Sequence, residues 1–513
     1  MRPGLCWRRA PRSFSSFWPS CCWATGCATN SIPKRRNEMN LANEIHWLPA
    51  WRLRECVVHG EISAEEIARR LLERIANHDG GIHSFLTVAG EMALDEARAI
   101  DRRIAAGDAV GALAGVPVTI KDQFLTRGLR TTGGSKALEN HIPDHDSVYA
   151  ARIREAGGII LGKTNTPEFG MYWRTVGLIA EECRNPWDLK RTSGGSSGGA
   201  AAALASGFGP LAIGSDSGGS IRLPAAQCGI LGLLPSYGRV PRHGGFGSAM
   251  FFSAIGPMAR DVRDAATLLQ VIADPLTDDP FCRTDPPPDY LARLDDGISG
   301  VRAAWWDNTV AAEFSDPDVI ATVRAAADRI VEFGALLSGA SVVLDTDMID
   351  ETWRVLDFVD RHANLGEELM RDPETAGKLT PYARTRFEWA DQVSGAQYSR
   401  AVMRRARFVR HLDAVFAETD LLLSPTMGIT SPVVNPNDIT QRIPALVSYT
   451  LPVNVAGYCA ASVPCGFVNG LPVGLQIIGR PNEEDLVLRA SRQYEKALNW
   501  NARHPEGEMD LAS

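Results

Sequence analysis

The chain has 513 residues, 45% of them hydrophobic and 22% charged, with a formal net charge of −8. That is enough apolar material for one large α/β domain or two to four smaller ones, and the acidic balance argues against a nucleic-acid-binding surface as the main function. Ten cysteines over this length make no disulfide framework, no CxxC or HExxH offers a zinc site, and no run of eighteen apolar residues appears that could span a membrane.

The first 36 residues contain no acid but seven bases, from Arg2 to Arg36. Residues 1–38 therefore read as a leader resembling a transit peptide, or as a disordered extension ahead of a more ordinary sequence opening at Met39. A lipid-anchored Cys27 is a third reading, weakened by the poorly apolar stretch before it. Without those seven bases the body has 46 basic and 61 acidic residues, a net charge of −15. Residues 39–505 are expected to form one domain, and 506–513 a tail.

From Trp47 to Gly107 the pattern is helical. Ser63 with Glu66 forms a capping box, followed by Ile67, Leu71, Leu72 and Ile75 at helical spacing. A second helix is expected across Ala93, Ala97, Ile100 and Ile104. The texture then changes. Gly115–Ile120 reads as a short buried strand delivering Lys121 and Asp122 at its end. A helix over 148–156 leads to a strand at Ile159–Leu161. A glycine- and serine-rich turn at 193–199 precedes a helix over Ala200–Ala205, and the strand Leu211–Ile213 runs into a second glycine-rich turn at 214–220. This alternation predicts an α/β fold with a largely buried sheet. Residues 275–300 read as a surface excursion. Asp316-Pro317 starts a helix with Val319, Val323, Ala327, Ile330 and Val331 on its apolar face. Residues 350–415 are mostly helical, Leu421–Leu423 is a buried strand, and 449–480 returns to strands and turns.

Two segments carry the chemistry. Ser193–Gly199 has the composition of a flexible linker, but its place between strands and directly before a helix argues against one. Gly194-Gly195-Ser196-Ser197-Gly198 formally matches the GxSxG nucleophile elbow, which requires a strand immediately before it. The charged Arg184–Arg191 stretch, broken by Asn185 and Pro186, does not read as that strand. In the second segment, Gly214–Arg222, glycines let successive backbone N–H groups point one way. That makes a concavity suited to an oxyanion beside a serine. A phosphate loop is discounted because no GKS/T follows. A serine nucleophile needs a base. The nearest histidines, His141, His145 and His243, lie in loop-like surroundings. Lys121 leaves an apolar strand, and burial favours its neutral amine.

Together Gly115-Val116-Pro117…Lys121-Asp122, Gly194–Gly199 and Asp216–Pro224 resemble the amidase signature family. Lys121 and Ser196 are 75 residues apart and Ser196 and Ser220 are 24 apart, both similar to that family's spacing. Gly162–Asn165, Asn185–Asp188, Cys228–Pro241, Gly256–Arg260, Val463–Gly466 and Gly470–Gln476 extend the resemblance over roughly 47–275 and 420–497. It implies a single large α/β/α domain with a mostly buried mixed sheet covered by helices, and a Ser–cis-Ser–Lys triad: Ser220 as nucleophile, Ser196 on a cis peptide as relay, Lys121 as base. It also implies an oxyanion hole from the N–H groups of Ser217, Gly218, Gly219 and Ser220, with Asp216, Arg222 and Ser197 in support. Hydrolysis would run through an acyl-enzyme, without metal or cofactor. The sequence departs from the family pattern at Ser193, at Leu234, at Cys459 and across Thr175–Glu182; the last puts any borrowed substrate in doubt.

The expected function is hydrolysis of a small carboxamide in the cytoplasm, with no nucleic acid, no membrane span, and a homodimer as a possible assembly. The alternative is the A subunit of a glutamyl-tRNA amidotransferase, which liberates ammonia from glutamine and hands it to a partner chain. The third class is a catalytically dead binding protein on the same scaffold, opposed by the presence of all three triad residues.

Overall fold

The structure, a computed structural model, describes residues 44–505 apart from Ser248, Ala340, Asp347, Arg442 and Pro444. The leader expected at 1–38 and the tail at 506–513 lie outside the described residues. The strands are β1 (Phe85–Val88), β2 (Pro117–Lys121), β3 (Ile159–Thr164), β4 (Arg184–Asn185), β5 (Asp188–Thr192), β6 (Leu211–Asp216) and β7 (Leu231–Leu234). They continue as β8 (Ala254–Ala259), β9 (Arg302–Trp305), β10 (Leu336–Leu337), β11 (Leu421–Pro425), β12 (Cys459–Val468) and β13 (Leu471–Gly479). Eleven of them form one mixed sheet in the order β1-β3-β2-β6-β8-β7-β12-β13-β11-β9-β10, while β4 and β5 pair separately. At its centre, β3, β2 and β6 run parallel, and β8, β7, β12 and β13 follow antiparallel.

Side chains alternate between two helical layers, as the pleat requires. On β6, Leu211 and Ile213 join one core cluster while Ala212 faces another. On β11, Leu421 and Leu423 share the first cluster and Leu422 points to the opposite side. The first layer holds the helices Val148–Glu155, Val262–Ile272, Pro317–Asp328 and Glu484–Leu498. The opposite one includes the long helix Gly395–Glu418, whose Phe408, Leu412 and Phe416 pack over Leu422 and Ile478. The architecture is the α/β fold expected from the alternation of elements, in the α/β/α arrangement that the family resemblance implies.

Local signals explain most boundaries. Ser63 Oγ accepts from the Glu66 N–H at 3.1 Å at the start of Ala64–His78, and Asp316 caps Pro317–Asp328. Four expectations need correction. Residues 85–88, inside the stretch read as helical, form the edge strand β1 against β3. Leu451–Ala456, inside the stretch read as strands and turns, is a helix ended by Gly457 in the left-handed region. Val331 is 53% exposed, because the helix tightens into a 3₁₀ turn at Arg329–Phe333 and leaves the apolar stripe. Finally, a strand does precede Ser193: β5, built from the charged Asp188–Thr192, in a hairpin outside the main sheet.

Candidate active site

The parallel strands β2 and β6 lie side by side, with Ile120 opposite Ile213, so both open at the same edge of the sheet. The carboxyl ends of parallel strands are where α/β sheets place their sites. There β2 ends on Lys121 and β6 runs out through Ser215 and Asp216. The helix Gly198–Ala205 brings Ser196 and Ser197 alongside. It is a run of small residues broken only by Leu204, buried throughout. A Cβ on Gly199 would overlap the backbone nitrogen and oxygen of Asn165, so only glycine lets this helix approach the end of β3 so closely. The Gly195–Ser196 peptide is cis. The Ser196 carbonyl accepts from Thr166 Oγ1 at 3.0 Å.

Lys121 is fully buried, and its three hydrogen-bond partners are hydroxyls: Ser196 Oγ at 2.7 Å, Ser197 Oγ at 3.0 Å and Ser215 Oγ at 2.9 Å. Burial holds its amine well below the usual lysine range; the Arg361 charge adds to the effect and Asp216 opposes it. A lysine so placed can be a neutral proton acceptor near neutral pH.

Asp216 organises the loop that carries Ser220. Its carboxylate accepts from the backbone N–H groups of Gly219 at 2.6 Å, Ile221 at 3.1 Å and Arg222 at 3.3 Å. Arg222 adds Nε at 3.0 Å and Nη2 at 3.1 Å, and Asn454 Nδ2 donates at 2.9 Å. Burial alone would raise this carboxyl, but the Arg222 charge and these donors hold it below the ordinary range. Gly219 has φ +124°, and a Cβ there would collide with Thr450 Oγ1. Ser220 follows it, half-buried, and its carbonyl accepts from the Ser197 N–H at 3.0 Å, tying the two serine segments together. The Gly219 N–H is thus committed to Asp216. The loop's carbonyls are held from outside: Ser217 O by Trp353 Nε1 and Gly218 O by Thr450 Oγ1, each at 2.7 Å. Ser217 Oγ lies 2.6 Å from Ser253 Oγ and accepts from Arg361 Nη2 at 3.1 Å.

Of the residues expected from sequence, Lys121 contacts both Ser196 and Ser197, Asp216 and Arg222 form a buried pair, and Ser217–Ser220 make the turn between them. Four further contributors are given no role by the sequence: Gln123, Ser215, Trp353 and Arg361. Ser215 lies within the glycine-rich segment and Gln123 two residues beyond Lys121. For Trp353 and Arg361 the only local signal is Asp357, four residues before Arg361 and paired with it at 2.9 Å. His141 is engaged elsewhere, at the Thr131 carbonyl.

The amidase family profile matches residues 66–488. A curated relative from Roseiflexus castenholzii (strain DSM 13941 / HLO8), the A subunit of glutamyl-tRNA(Gln) amidotransferase, is 40% identical over 491 residues, covering 91% of this chain and 99% of its own. Among solved structures, a bacterial aryl acylamidase of the amidase signature family superposes with a TM-score of 0.82 at 28% identity, covering 91% of this chain and 99% of that one. The corresponding A subunit from Thermotoga maritima gives 0.72 at 31% identity, covering 84% and 91%. These relatives overturn one expectation. A chain partnered by a small amide alone, with no nucleic acid and at most a second copy of itself, does not fit relatives named as one component of an enzyme for glutamyl-tRNA. Overall charge misled here, since it averages over the surface and is silent about a partner chain or a local patch. Among the described residues no helix is long and apolar enough to cross a membrane. With a family profile spanning most of its length and a fold that superposes on these enzymes almost end to end, the chain belongs to the amidase signature family, enzymes acting on C–N bonds.

Proposed function

We propose that the chain hydrolyses a carboxamide through an acyl-enzyme on Ser220, with Ser196 as proton relay and Lys121 as base. The observation that carries this is the wholly buried Lys121 amine, hydrogen-bonded to three hydroxyls and depressed by desolvation. As Ser220 Oγ attacks the carbonyl, its proton passes to Ser196 Oγ while the Ser196 proton passes to Lys121 Nζ. The new oxyanion faces the Ser217 and Gly218 N–H groups. The fixed carbonyl of Ser217 orients the Gly218 N–H, because the two belong to one peptide plane. Gly219 serves the hole by closing the loop on Asp216. When the C–N bond breaks, the proton returns from Lys121 through Ser196 to the leaving nitrogen, and water then releases the acid by the same path in reverse.

The names of the curated relatives support glutamine as the amide, the ammonia passing in the cytoplasm to a partner chain that acts on glutamyl-tRNA. A second reading, an aryl amide, is favoured by the higher TM-score to the aryl acylamidase and by the departures at Thr175–Glu182. The test is ammonia release from L-glutamine, by the chain alone and with the partner chains of a related amidotransferase, beside hydrolysis of acetanilides. Glutamine turnover that Ser220→Ala abolishes supports the first reading; anilide turnover without glutaminase activity selects the second. No hydrolysis of either class by a folded protein defeats the proposal.

A further inference from the structure

The hydrogen-bond directions around Lys121 can be followed outward to their source. Gln123 is 3% exposed. Its Nε2 faces backbone carbonyls only: Phe246 O at 2.6 Å, and Phe169 O and Gly247 O at 3.5 Å each. A carbonyl cannot donate, so the amide has one orientation, with Oε1 turned to Ser215 Oγ at 2.8 Å. An amide oxygen only accepts, so the single Ser215 hydroxyl hydrogen is spent on Gln123. Toward Lys121 Nζ, Ser215 Oγ is left only as an acceptor. Ser197 reaches the same condition by another route. Its hydroxyl accepts from the Ser215 N–H and donates to the Ser215 carbonyl, both at 3.3 Å, so toward Lys121 it too only accepts. A neutral amine has two N–H bonds and one lone pair. Both N–H bonds are taken, and the lone pair is left facing Ser196 Oγ at 2.7 Å.

We infer that Gln123 is a positioning residue for proton transfer, acting through Ser215 to aim the lone pair of Lys121 at Ser196. The inference rests on the reading of Lys121 as base. After transfer, the Ser196 proton sits on Nζ, Ser196 has taken the proton of Ser220, and the ammonium presents three N–H bonds to three oxygens. The cage suits the lysine before and after the step. With Gln123 removed, the Ser215 hydrogen is free to turn onto the lone pair, which masks the base and stabilises the neutral amine. With the Ser215 hydroxyl removed, the ammonium loses an acceptor. Both changes slow transfer, and both lower the lysine's pKa.

The test uses a probe independent of the natural amide. Phenylmethanesulfonyl fluoride forms an O–S bond at an activated serine, expels fluoride and leaves the hydroxyl proton with the base. Its rate constant with the full chain is followed by intact mass across pH for the Gln123→Leu, Ser215→Ala and double variants, with Ser215→Thr as the conservative control. Each single variant is expected to slow labelling about 10- to 100-fold, with the acid limb of the pH profile displaced to lower pH. The double variant is expected to be no slower than Ser215→Ala, and Ser215→Thr to stay near wild type. Losses that multiply in the double variant, or an acid limb that stays in place, would overturn the inference. Should Gln123→Leu fail to fold, Gln123→Met, which keeps the length of the side chain and removes the amide oxygen that accepts from Ser215, decides by the same limb. Undiminished labelling of Lys121→Ala would instead defeat the base assignment itself, so the two failures are distinguishable.

Discussion

Replacing Arg222 by methionine tests the loop that carries Ser220, the proposed nucleophile. Both Arg222 and Asp216 are wholly buried. The guanidinium meets Asp216 through Nε and Nη2, and also donates to Gln476 Oε1 at 2.6 Å, Thr450 O at 3.1 Å and Asn454 Oδ1. Methionine keeps much of the volume and none of the donors, leaving a carboxylate in the interior without its countercharge. Breaking such a pair costs roughly 3–5 kcal/mol. Asp216 retains three backbone N–H groups and Asn454 Nδ2, so about 3 kcal/mol is expected, a large part of a total stability on the order of 5–15 kcal/mol. The assay is the urea midpoint by tryptophan fluorescence, with the labelling rate of Ser220 measured on the folded fraction. Acidification supplies a signed check. In the wild type the folded carboxyl lies below its unfolded value, so its stabilisation is present above the unfolded pKa and lost as pH falls through the folded one. In the variant, burial without Arg222 pushes the folded carboxyl above its unfolded value, so the protein gains stability as pH falls toward about 4. The two curves therefore converge on acidification. A loss under about 1 kcal/mol, or a gap that stays constant with pH, would refute the idea that this ion pair holds the loop.

Other outcomes follow from the same geometry. Lys121→Ala is expected to lower kcat/KM by about 10²–10⁴-fold, the usual worth of a general base, and Ser220→Ala to leave no turnover. In the wild type, kcat/KM is expected to rise with pH as Lys121 loses its proton, reaching its plateau well below the ordinary lysine pKa because burial depresses the amine; a flat profile would count against lysine as base. Trp353→Phe keeps an aromatic ring and removes the donor to the Ser217 carbonyl. A kcat lowered about tenfold with KM nearly unchanged is the sign of a misaimed oxyanion loop, and a change in KM alone would contradict that role. Gly199→Ala forces a Cβ against the Asn165 backbone and should give insoluble protein or a stability lowered by more than about 1 kcal/mol; a soluble variant of wild-type stability would show that the helix can retreat.

Much of this site is legible in the sequence because its chemistry is local in the chain. The strand carrying Lys121, the glycine turns around Ser196 and Ser220, and the alanine helix each announce themselves within about ten residues. What stays hidden there depends on distant partners. β1 is four residues long and owes its extended state to β3, more than 70 residues away. The Leu451–Ala456 segment has strand-like composition, yet it is helical where Asn454 reaches Asp216. Trp353 and Arg361 sit on a helix with an ordinary amphipathic pattern, and nothing in that pattern says that its inward face ends on Ser217. Gln123 shows a different limit: its importance lies in which way its amide points, and that is set by three carbonyls contributed by other segments.

The long-range clasp on Asp216 and Arg222 has a consequence for biosynthesis. A nascent chain that has emerged as far as Ser220 already carries every proposed reacting group. The residues that hold the Asp216–Arg222 turn shut, Thr450, Asn454 and Gln476, are made more than 200 residues later. On the proposed function, hydrolytic competence would be acquired only once these late residues have closed on the turn, and an unfinished polypeptide would leave the amides around it untouched.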